Sequence, residues 1–145
     1  SVYKAVDGST VAFRYPFGVS FTPGANSYTL FRYDSELLTK NPSFGESDSV
    51  DETAVQVFGL GGTTEIRDVC VVTVSGDNCT VSHLDISFRR PEFNAIYYPT
   101  SVVSPTSSVS EPVSSGKVIL HSTRNPARAW VIEVSVLGQI SVYPQ

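Results

Sequence analysis

Methionine is absent from this chain of 145 residues, tryptophan occurs once, and cysteine and histidine occur twice each. Two cysteines exclude a disulfide-dense scaffold and leave room for a single bridge. The longest apolar runs, Val69 to Val74 and Trp130 to Leu137, fall far short of the ~20 residues that a bilayer-spanning helix needs, so no membrane insertion is expected. Ten basic residues against fourteen acidic ones give a net charge of -4, and no basic run is present to displace counterions from a phosphate backbone. Nucleic acid is therefore not an expected partner. Lacking Met and opening on Ser1-Val2-Tyr3, the sequence reads as a processed chain or as a piece of a longer protein.

Chemistry-bearing clusters are equally scarce. His83 and His121 stand apart in the sequence, each within a strand-like stretch, and neither has metal-ligand spacing around it. No nucleophile elbow and no Cys and His signature is present. Glu46, Asp48, Asp51 and Glu52 are carboxylates of the kind used by glycosidases or calcium sites, but their confinement to one polar stretch fits a solvated acidic loop. Gly59-Leu60-Gly61-Gly62 has no Lys and no following helix, so it reads as a turn and not as a phosphate cradle. No catalytic residue, metal or cofactor is expected.

What the chain does have is alternation. It is 41% hydrophobic and 17% charged, rich in Val, Ser and Thr, and apolar residues recur at period two from end to end. Val2 to Val6 and Thr10 to Tyr15 flank Asp7-Gly8 as a hairpin. Further strands are expected at Tyr28 to Tyr33, Ala54 to Phe58, Glu65 to Val74, Val81 to Arg89, Lys117 to Ser122, Ala129 to Val136 and Ile140 to Tyr143. In the strand at 81–89, Leu84, Ile86 and Phe88 should face a core while Asp85, Ser87 and Arg89 face water. Asp34 to Glu52 is expected as a long acidic loop with at most a helical turn at Ser35 to Lys40, and Pro99 to Gly116 as an exposed, mobile loop. About nine to eleven short strands at this spacing predict one all-β domain over residues 1–145, an antiparallel β-sandwich of immunoglobulin-like or jelly-roll type.

The cysteines pose a register problem. A turn at Ser75-Gly76-Asp77-Asn78 sets Val74 opposite Cys79 and moves Cys70 about 13 Å along the ladder, too far for a disulfide. Free thiols are the expectation on that register, and a bridge requires the turn to shift toward Thr73 to Gly76. Asn78-Cys79-Thr80 also matches a glycosylation sequon, which together with the composition points to a secreted or surface-displayed setting.

From Gly59 to Pro91 the sequence resembles the chagasin-type inhibitors of papain-like cysteine peptidases. Gly59, Leu60, Gly61 and Gly62 correspond to the family's Gly-rich loop, and Arg90 and Pro91 to its Arg-Pro ending, with Glu92 where the family has Trp. Thr22, Pro23, Gly24, Ala25, Asn26, Ser27 and Tyr28 echo the family's remaining loop, although they lack its Asn-Pro-Thr-Thr-Gly string. The resemblance covers residues 8 to 92. It implies an immunoglobulin-like sandwich whose three loops meet at one end as a wedge for a peptidase cleft. A competing reading is a projecting or adhesive module, of a viral capsid or a cell surface, that binds a receptor or a glycan through exposed loops. Its support is the two long loops and the aromatics Tyr97 and Tyr98. Both readings are non-enzymatic and extracellular.

Overall fold

A computed structural model describes the backbone of residues 2–4, 10–12, 17–33, 52–88, 95–101 and 112–145, with side chains described within 17–32, 54–88 and 112–145. Twelve strands run through these residues: β1 Val2–Lys4, β2 Thr10–Ala12, β3 Phe17–Phe21, β4 Ser27–Tyr33, β5 Glu52–Gly59, β6 Thr64–Thr73, β7 Gly76–Asn78, β8 Val81–Phe88, β9 Ala95–Ser101, β10 Ser115–Ser122, β11 Ala129–Ser135 and β12 Ile140–Pro144. No helix occurs among the described residues, so none there is long and apolar enough to cross a membrane. The fold is an antiparallel β-sandwich. One sheet has the order β5-β4-β3-β8-β9 and the other β12-β11-β10-β6-β7, while β1 and β2 pair as a separate antiparallel two-stranded sheet, the Asp7-Gly8 turn expected between them lying outside the described residues.

The core lies between the sheets. Ile66, Val69, Val71, Val118 and Val134 of one sheet pack against Val81, Leu84 and Ile86 of the other. Two bulges make this possible. The register slips between Val81 and His83, so Val81 and Leu84 share a face although three residues apart, and a slip in the β6–β10 ladder does the same for Ile66 and Val69. A sequence reading with strict period two misses both alignments.

The second face of β8 is not wet, contrary to expectation: Asp85 and Ser87 are as buried as their apolar neighbours. Part of the reason is visible at β3. Gly18 pairs with Phe31 on one side and Ser87 on the other. Any Cβ there would stand 2.6 Å from the tip of the buried Phe31 ring, so the missing side chain is what lets that ring lie over the strand.

The thiol expectation is corrected. Cys70 and Cys79 form a disulfide, with Cα atoms 4.1 Å apart. The turn sits at Thr73 to Gly76 because Gly76, at φ 107°, supplies the left-handed backbone, and Thr73 pairs with Gly76. That register places Val71 opposite Asn78 and brings the two cysteines level. Closing so short a loop contributes about 2 to 3 kcal/mol.

The loop expected at 99–116 is shorter than its sequence suggests. β9 carries Pro99, Thr100 and Ser101 into the sheet and β10 begins at Ser115. β9 is an edge strand, where a proline is tolerated. Residues 102–111, the helical turn proposed at 35–40 and most of the acidic loop lie outside the described residues.

Candidate functional site

Three connections meet at one end of the sandwich, held there by backbone hydrogen bonds. The β3–β4 loop lies along the start of β6: the Gly24 amide donates to the Ile66 carbonyl at 2.7 Å and the Ile66 amide donates to the Ala25 carbonyl at 2.8 Å. Gly24, at φ 83°, makes that bend. The β5–β6 loop joins it through the Leu60 amide, which donates to the Asn26 carbonyl at 2.8 Å. The β10–β11 turn is the third. Its Thr123 amide donates to the Thr63 carbonyl, and its Arg128 amide closes the expected Asn125-Pro126 turn by donating to the Asn125 carbonyl. Ser122 Oγ accepts from the Arg124 and Asn125 amides, fixing the entry to the turn.

The structure therefore brings together two of the three loops named from sequence, Thr22 to Tyr28 and Gly59 to Gly62. Their residues do different work. Tyr28 is an anchor, since its ring stacks on Phe21 at 5.6 Å and on Phe58 at 5.1 Å. Leu60 packs against the core, whereas Gly59, Gly61 and Gly62 are exposed with open space where a Cβ would point. Arg90, Pro91 and Glu92 lie outside the described residues. The strand that leads to them ends at Phe88 opposite Phe17, about 13 Å along β3 from Phe21.

Sequence reasoning missed a polar network on the outer face of β3 and β8, and it treated His83 as solitary. His83 Nε2 lies 2.7 Å from the buried Asp85 Oδ1 and 3.1 Å from Ser20 Oγ, while Nδ1 lies 3.0 Å from Thr22 Oγ1. A hydroxyl, an imidazole and a carboxylate in a row resemble a nucleophile relay. The Gly24 and Ala25 amides that an oxyanion would need beside Thr22 are already engaged, to Ile66 and Thr22 carbonyls respectively, and Pro23 has no amide hydrogen. As built, the network ties the β3–β4 loop to a buried carboxylate. The signal was available: residues 20, 83 and 85 lie on two strands that pair, and Thr22 continues the alternation just past the end of β3, once FGVSF is recognised as a strand.

A groove of about 450 Å³ opens beside the β10–β11 turn, on the inner face of the second sheet. Its floor is Leu120, Ile132, Val142 and the indole of Trp130, which is 47% exposed. Thr64, Ser122 and Arg128 stand at the rim. Neither Arg124 nor Arg128 has an ion-pair partner among the described residues, so this end carries local positive charge on an acidic chain. Glu65 is engaged with His121 at 2.7 Å. Among the described residues no group of three His, Cys, Asp or Glu side chains is placed to hold a metal.

No family model matches the chain, and no curated protein or solved structure matches it either.

Proposed function

We propose that the chain is a non-enzymatic, extracellular recognition module that binds an acidic glycan at the looped end of the sandwich. The groove beside Trp130 carries this reading. A half-exposed indole accepts the apolar face of a pyranose, the hydroxyls of Thr64 and Ser122 suit its hydroxyl groups, and the Arg128 guanidinium suits a carboxylate. The extracellular part rests on the Cys70 to Cys79 bridge and on the sequon at Asn78. Screening the chain against sialylated and neutral oligosaccharides tests it. Binding of the sialylated set, lost at least tenfold in Trp130→Ala and Arg128→Ala with the far-ultraviolet spectrum unchanged, is the expected result. No binding to any charged glycan rejects the reading.

The peptidase-wedge alternative is favoured by one observation, the direct hydrogen bonding of the 22–28 loop to the 59–62 loop. The approach of β8 to the far end of β3 separates its last described residue from those two loops. Titration against papain decides this form of the proposal, since submicromolar inhibition is required of a wedge and is not expected of a glycan module.

A further inference from the structure

We propose that β12 is a self-association edge, through which two copies of this chain join antiparallel about a two-fold axis at Val142. β12 is the outermost strand of its sheet, and all five of its residues are exposed, with Ile140 and Val142 each at 63%. The direction of its backbone groups follows from two hydrogen bonds. The Gln145 amide donates to the Ala129 carbonyl and the Ser135 amide donates to the Gln139 carbonyl, so odd-numbered residues face β11. Antiparallel alternation then turns the N–H and C=O groups of Ile140 and Val142, and the C=O of Pro144, to the open side. Pro144 occupies an outward position, where β11 asks for no N–H.

A second copy fits this edge. Pairing centred on Val142 sets Val142 opposite its own copy and Ile140 opposite the second copy's Pro144. Each Val142 amide donates to the facing Val142 carbonyl, and each Ile140 amide donates to the facing Pro144 carbonyl. Only the donor that proline lacks is missing. Residues 140–144 carry no charge, so no like charges meet at the axis. On the inner face, the apolar row of Trp130, Ile132, Ile140 and Val142 continues into the same row of its copy. The opposite edge of the sheet is defended by contrast: β7 is three residues long and carries Asp77. One short strand pair buries well under the ~800 Å² per partner of a standard interface, so the association is weak and depends on concentration.

Sedimentation of the full chain over a concentration series into the millimolar range tests the proposal. The average mass should climb toward twice the monomer. Val142→Pro removes the outward donor without touching the β11 ladder, and Val142→Lys places two ammonium groups at the axis; both should stay monomeric over that series. Amide exchange on the unaltered chain gives a reading that needs no variant. Protection at Ile140 and Val142 should rise with concentration, while Ser141 and Tyr143 are protected throughout. A chain that is monomeric at every concentration, a dimer that survives both substitutions, or exchange at Ile140 and Val142 that ignores concentration would overturn it.

Discussion

At the scale of single residues, the most constrained position is a missing side chain. Gly18 is the second residue of β3 and lies outside the left-handed region, so its backbone would accept alanine; the space would not. A Cβ would meet Phe31 Cζ at 2.6 Å, Ser87 Oγ at 2.9 Å and the Ile86 carbonyl at 3.0 Å, and the Phe31 ring is fully buried and has nowhere to go. Gly18→Ala should therefore cost about 1 to 3 kcal/mol, read as a fall in the urea midpoint, while Gly59→Ala and Gly62→Ala, which meet open space, should change it little. The same residue explains a gap in the sequence reading. Gly18 looks like a breaker inside FGVSF, and β3 is invisible until the Phe31 ring that needs the space is known to lie there.

At the scale of elements, β7 shows how a strand too short to hold itself is held by side chains. It is tied to β6 by the disulfide and to β10 by Lys117, whose ammonium donates to Asp77 Oδ2 at 2.8 Å across β6. The hydrogen bond to Asp77, with that carboxylate's charge, holds the Lys117 pKa above the ordinary lysine value of 10.5 against the opposing effect of burial. A raised pKa means that folding favours the ammonium. The contribution is complete below pH 10.5 and is lost as pH rises through the higher value of the folded state. Asp77→Asn should thus lower stability near neutral pH by a few tenths to about 1 kcal/mol, with the difference from the parent chain closing above pH 10.5 in urea titrations. Sequence alone read Gly76-Asp77-Asn78 as a turn, because these are turn-forming residues. The bridge, across nine residues, and the ion pair, across forty, decide otherwise. β9 was lost in the same way, since Pro99 is a breaker inside a sheet and acceptable at its edge. Strands such as β6, β8 and β11 were legible because runs of Val, Ile and other β-favouring residues mark them, although the bulges in β6 and β8, which set which side chains share a face, were not. The candidate site was legible only in part. Turn residues at 22–28 and 59–62 announce loops, but that the loops touch depends on the crossing from β5 to β6. Trp130 lies in an alternating strand that reads as core, and it is half exposed because the groove opens where it stands.

For the whole molecule, the path of the chain between the two sheets has a consequence in time. The chain passes from one sheet to the other between β5 and β6, returns between β7 and β8, and crosses again between β9 and β10. β3 waits for β8, more than sixty residues away, and β6 waits for β10, whose paired residues lie 43 (Val72 to Ser115) to 58 (Thr64 to Ser122) positions on. Every such closure fixes a long loop before any contact rewards it, which places assembly in the millisecond to second range. Trp130 is the chain's one tryptophan and lies on β11, so its fluorescence in a stopped-flow refolding trace should report the last layer to dock and should lag behind the growth of β-structure. During that lag the first sheet is without its cover, and Val19, Phe21, Ile86 and Phe88 face water. The vulnerable form of this protein is then a half-built one, and dilution or a slower temperature ramp should raise the yield of refolding more than any additive that acts on the finished sandwich.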